Sequence, residues 1–128
     1  MSNPSIWMAV AAGGALGAVA RYGVSRAAMH WLGPAFPWGT LAANVFGSFL
    51  MGVLIAWLAS REPQTTVLRA FLAVGLLGAF TTFSTFSFDV VALYRDRTIF
   101  VAAVYLFGSI VFAIGGLVVG LLAGRAWL

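Results

Sequence analysis

Residues 75–87 read Gly-Leu-Leu-Gly-Ala-Phe-Thr-Thr-Phe-Ser-Thr-Phe-Ser. Hydroxyls crowd the second half of this string (Thr81, Thr82, Ser84, Thr85, Ser87), and Phe80, Phe83 and Phe86 interleave with them at a spacing of three. Hydroxyl and amide hydrogens are donors, and the edges of phenyl rings are electropositive. Such groups suit a path for a small anion. Burying a bare anion in a low dielectric costs on the order of tens of kcal/mol by Born estimates, so donors and ring edges must replace its water shell. The string holds no carboxylate, which makes it a poor site for proton coupling or cation exchange. It holds no arginine either, and conduction needs sites weak enough to release the ion. The plain alternative is core packing, with hydroxyls bonded back to carbonyls one turn earlier. The density of hydroxyls exceeds what back-bonding needs.

On an ideal helix Phe83 and Phe86 fall within about 60° of each other, with Thr81 and Thr85 on a roughly opposite face and Ser84 beside them. The string lies inside a long apolar segment, residues 67–94. A bilayer core asks for about 20 apolar residues per helix, and polar or non-helical backbone at that depth persists only when buried in protein or lining a cavity.

The rest of the chain has the composition of a scaffold in lipid. Of its 128 residues 62% are hydrophobic and 8% charged, against about 25% charged in a soluble domain. Four spans are expected, over residues 6–31, 38–59, 67–94 and 99–122, joined by short loops in a single domain covering residues 1–128. The fold class is therefore an all-α integral membrane protein. The stretch Met1–Gly14 has no basic residue ahead of its apolar run and continues apolar beyond signal-peptide length, which predicts a retained membrane helix. Small residues at Gly13, Gly14, Ala15, Gly17 and Ala18 offer the first span a close-packing face.

Polar residues within the spans are few. Arg21 lies roughly 22 Å along the first span from Ile6 at 1.5 Å per residue; it is either an anchor reaching the far interface, or a functional residue serving as a vestibule charge or as partner for a buried polar group. Asn44 in the second span is either interhelical glue or a donor facing a path. Asp89 and Tyr94 close the third span.

All seven basic residues are arginines and the net charge is +4, but they stand singly, with no basic stripe for nucleic acid. With four spans, Arg61, Arg69 and Arg125 share one side of the membrane and Arg26, Arg95 and Arg97 the other. Arginine bias normally sets orientation. Its near absence predicts insertion both ways, and two opposed copies would recreate an inverted-topology pair.

Enzyme chemistry finds no footing. The chain has no cysteine, which excludes disulfides and thiolate metal sites. His30 is the only histidine, and no serine has an obvious base.

Residues 78–87 resemble the third-helix signature of the Fluc (CrcB-type) fluoride channels. Residues 13–22 resemble that family's first-helix motif, Trp38–Asn44 the start of its second helix, and Tyr105 with Ser109 fall where its fourth helix carries pore-facing polar groups. The resemblance covers essentially the whole chain. It implies an antiparallel, dual-topology homodimer of four-helix subunits in the cell inner membrane, exporting fluoride passively through two pores. It also implies that Phe83 and Phe86 line the pores by their ring edges, with Asn44, Tyr105 and Ser109 as polar groups on the path. A break in the third helix would free the backbone carbonyls of Gly78 and Thr81 to hold a structural sodium ion between subunits. The chain departs from the family at Ala79, commonly a second glycine, because alanine is less permissive at positive φ. It departs again at Ala113, where some members carry a hydroxyl, so the polar track on the fourth helix is shorter.

Two other classes compete. A small dual-topology multidrug or cation exporter needs a membrane-embedded carboxylate, usually in the first span, and none is there. A membrane anchor subunit would explain the small residues but not the hydroxyl–phenylalanine string.

Overall fold

A computed structural model describes residues 3–61 and 66–127, and every regular element among them is helical. Helix α1 spans Pro4–Leu32 and α2 spans Trp38–Ala59. A rod over residues 66–80, here α3, begins as α-helix at Thr66–Arg69, winds as π-helix over Ala70–Leu77 and returns to α-helix at Gly78–Phe80. After a break, α4 covers Ser84–Asp96, and α5 covers Ile99–Trp127.

Local chemistry sets the ends. The Asn3 side chain accepts from the Ser5 amide at 3.0 Å and Pro4 occupies the first helical position, where its missing N–H costs nothing. This cap starts α1 two residues before the expected boundary. At the other end Gly33 takes φ 78°, a conformation that favours glycine, and its amide closes on the Met29 carbonyl at 3.0 Å. The expected second boundary matches α2; α5 runs five residues past the expected end at 122.

Three helical stretches are long and apolar enough to cross a membrane: Trp38–Ala59, Thr66–Asp96 taken together, and Ile99–Trp127. The distribution of side chains agrees with a lipid surround. Small residues such as Ala43, Ala56, Ala70 and Ala102 are buried, while Trp7, Val19, Phe46, Phe107 and Val119 face outward. Between helices in lipid, association rests on close packing of small residues rather than on exclusion of water.

Two seams show this. α1 packs along α3, and a Cβ at Gly17 would run into the Leu76 carbonyl oxygen. α2 packs along α5, and a Cβ at Gly120 would run into the Phe49 carbonyl oxygen. The α1–α3 and α2–α5 pairs hold the break between α3 and α4 from two sides.

Candidate functional site

Thr81 leaves the helix with φ −86° and ψ 157°, and Phe83 re-enters it at φ −95° and ψ −36°. The chain turns without positive φ at any described non-glycine residue. Ala79 therefore sits in ordinary helix, and the break does not need a glycine there. The helical-wheel expectation assumed continuous helix through these residues; the extended segment replaces it.

A break at this depth frees backbone groups that must find partners. Asn44 supplies two at once. Its Nδ2 donates to the Thr82 carbonyl at 2.9 Å and its Oδ1 accepts from the Thr82 amide at 2.7 Å. Arg21 supplies a third: its Nε donates to the Ala79 carbonyl at 3.2 Å. Of the readings open for Arg21, this bond favours a partner for a backbone carbonyl, one that is part-buried. Asn44 acts as glue, and it also lines the cavity described below.

Most of the hydroxyls serve the backbone as well. Thr81 donates to the Leu77 carbonyl at 3.0 Å and Ser87 to the Phe83 carbonyl at 2.9 Å. The Thr82 Oγ1 accepts from the Thr85 amide at 3.2 Å, capping α4, and lies 3.4 Å from the Ser84 hydroxyl. Sequence density alone suggested more free donors than this. Two of these bonds are ordinary back-bonds, since the Leu77 and Phe83 carbonyls already accept the Thr81 and Ser87 amides; only the Thr82 hydroxyl serves an amide at the open start of α4.

The same wiring tests whether a cation could sit at the break. In a continuous α-helix the Gly78 carbonyl would accept from the Thr82 amide and the Thr81 carbonyl from the Thr85 amide. Both amides are engaged elsewhere, by Asn44 and by the Thr82 hydroxyl. The Gly78 and Thr81 carbonyls are thus released from that ladder, and oxygen donors of this kind suit a hard cation. The residues fit the group.

Against the break lies a cavity of about 390 Å³. Asn44 and Ser48 of α2 form one wall; Gly78, Thr81, Phe83 and Phe86 form a second. Ser109, Ala113 and two isoleucines of α5, Ile110 and Ile114, complete it. Phe83 and Phe86 lie 5.6 Å apart between ring centroids, inclined at 52°. They differ in setting: Phe83 is 78% exposed on the single chain and Phe86 is 6% exposed. Ser109 is 4% exposed, and its hydroxyl has no partner among the described residues. A buried hydroxyl without a partner costs free energy unless something in the cavity completes it.

Tyr105 does not join this lining. It is 1% exposed, packed 5.3 Å from Phe86 and 5.4 Å from Phe36 between centroids. Its hydroxyl donates to Asp89 Oδ2 at 3.1 Å. Asp89 thus meets a tyrosine, and Arg95 pairs with its neighbour Asp96 at 2.9 Å. The structure brings together Asn44, Phe83, Phe86, Ser109, Gly78 and Thr81, and sets Tyr105 behind Phe86. Sequence reasoning assigned no role to Ser48; its position four residues after Asn44, on the same helical face, was the available signal. No group of three or more metal-ligating His, Cys, Asp or Glu occurs among the described residues.

With this geometry in view, likeness to known proteins becomes informative. A family model described as CrcB-like protein, Camphor Resistance (CrcB), matches residues 8–121. A protein named fluoride-specific ion channel FluC from Rhodospirillum centenum is 53% identical over 114 residues, covering 89% of this chain and 90% of the relative. Proteins of the same name from Nitrobacter winogradskyi (49% identical, 89% and 90% covered) and Agrobacterium fabrum (47%, 91% and 93%) are similar over the same extent. Matches of this length and identity run through α1, the break and α5 alike, and the chain belongs to the CrcB family.

Proposed function

We propose that this chain forms a fluoride-selective channel that lets cytoplasmic fluoride leave the cell passively, lowering its toxicity. The observation that carries the reading is the Ser109 hydroxyl, buried and unpartnered in a cavity shared with Phe83, Phe86 and Asn44. A small anion there would accept from Ser109 and from the second N–H of the Asn44 amide, whose first is held by Thr82. The phenyl edges would face it with their positive rim. No acidic residue lines the cavity, so nothing repels an anion and nothing trades a proton for a cation. The names of the relatives support fluoride as the anion. The reading is of a channel, not an enzyme.

The working unit in this proposal has four membrane spans per chain, α1 included, and two chains inserted in opposite orientations in the cell inner membrane. Two features favour a partner of inverted topology. The arginines divide almost evenly between the two sides, and Phe83, which lines the cavity, is largely exposed on the single chain. Gly78 and Thr81 would then face their counterparts, and their released carbonyls would hold a structural sodium ion. Such an ion would supply positive charge tying the two broken helices together. Tyr105 enters the proposal as the support behind Phe86.

Fluoride efflux from liposomes holding the purified protein tests this directly, with chloride as control. Efflux of fluoride with chloride retained is expected. Fluoride trapped behind a folded dimer would overturn the reading.

A further inference from the structure

Ser48 stands one turn after Asn44 on α2 and lines the same cavity. It is half-buried. Helical serines ordinarily bond back to the carbonyl four residues earlier, as Ser87 does here. The Ser48 hydroxyl makes no hydrogen bond among the described residues.

Its depth follows from helix register. Gly116 of α5 lies against the Val45 carbonyl and the Phe49 amide, Gly120 against Phe49 and Val53, and Gly124 against Val53 and Ala56. The two helices therefore run parallel, in matched four-residue steps. Extending this register back along both helices at the same offset sets Ser109 level with Thr40 and Leu41, Asn44 with Phe112 and Ala113, and Ser48 with Gly116 and Leu117. Beside Ser48, Gly47 abuts the Thr81 methyl and the Phe80 ring, which places this level at the helix break.

The donors thus descend in order, and they change helix as they go. Ser109 on α5 comes first, then Asn44 on α2, then Ser48, each step about one helical turn or about 5.4 Å along the axis. Beyond Ser109 the α5 wall of the cavity offers only Ile110, Ala113 and Ile114. An anion moving on from Asn44 along α5 alone would meet carbon.

We propose that Ser48 is a second anion subsite, whose hydroxyl receives a small hydrated anion from Asn44 at the depth of the helix break. This rests on the channel reading above. A single neutral hydroxyl suits the position: it offsets part of the lost hydration without holding the ion too tightly to leave.

The test compares fluoride efflux from liposomes for the full-length protein and for Ser48→Ala and Ser48→Thr. Loss of one hydrogen bond to a charged group predicts efflux slowed about tenfold in Ser48→Ala. Ser48→Thr, which keeps the hydroxyl, should stay within about twofold of the parent, the retained donor being the reason. Both variants should match the parent in thermal midpoint and dimer content, since the hydroxyl bonds nothing in the fold. Should Ser48→Ala fail to assemble, Ser48→Cys, similar in size and a weaker donor, carries the same expectation of slowed efflux. A parent protein that passes no fluoride overturns the channel reading and this subsite with it. A conducting parent with an equally fast Ser48→Ala overturns the subsite alone, as does a Ser48→Thr that is as slow as Ser48→Ala.

Discussion

The Asn44 side chain and the Thr82 backbone pair reciprocally, amide to amide, across 38 positions of sequence. One side chain thereby replaces both hydrogen bonds that Thr82 loses where the helix opens. Asn44→Leu would leave that donor and acceptor unpaired, each at a cost of about 1–3 kcal/mol. A lowered thermal midpoint in detergent is expected, together with lost fluoride efflux. Asn44→Asp keeps the acceptor for the Thr82 amide, so it should unfold at a higher temperature than Asn44→Leu. Its carboxylate would face the cavity and repel an anion, so efflux should be as low. A stable, conducting Asn44→Leu would mean that the break holds itself open without this clamp.

Phe83 and Phe86 line one cavity in different settings, and their variants should separate stability from conduction. Phe86 is buried against Tyr105, so Phe86→Ile should lower the thermal midpoint, at about 1–2 kcal/mol for a reshaped packed site. Phe83 is exposed on the single chain, so Phe83→Ile should leave chain folding nearly unchanged. Efflux should fall sharply in both. Normal efflux in both single variants would remove ring edges from the account.

Ala79 sits in helical geometry, its carbonyl taken by Arg21. Glycine there relieves nothing and loosens the unfolded chain. Ala79→Gly is expected to destabilise by about 0.5–1 kcal/mol, the ordinary glycine penalty within a helix, with efflux unchanged. A gain in stability would reveal strain at this position that the dihedral angles do not carry.

Gly14 and Gly17 lie within one small-residue motif and should respond oppositely to alanine. A Cβ at Gly14 meets nothing, whereas at Gly17 it would collide with the Leu76 carbonyl. Gly14→Ala should be neutral or stabilising by up to about 1 kcal/mol through helix propensity. Gly17→Ala should separate α1 from α3 and sharply lower the yield of folded protein. Thermal unfolding and size-exclusion profiles of the two variants would check this contrast.

By itself the sequence determined the helical elements, while the place of the break came from the resemblance of residues 78–87 to a family signature. Apolar runs of membrane length fix the helices because lipid leaves the backbone no other partner than itself. A crowd of hydroxyls beside Gly78 lies where that rule is suspended. Local pattern also put Phe83 and Phe86 side by side, since residues three apart at a helix start remain neighbours whether or not the helix continues behind them.

What only the tertiary structure decided was how each polar group is used. Arg21 could anchor at an interface or bond a buried carbonyl, and its link to Ala79 spans 58 positions. Thr81 and Ser87 look like free donors in the sequence, yet they bond back one turn, and the Thr82 hydroxyl is taken by the open start of α4. Tyr105 and Ser109 are one turn apart on α5, but one hydroxyl is held by Asp89 while the other is left without a partner beside the cavity. The rotation of each helix about its own axis makes these choices, and packing against neighbouring helices sets that rotation.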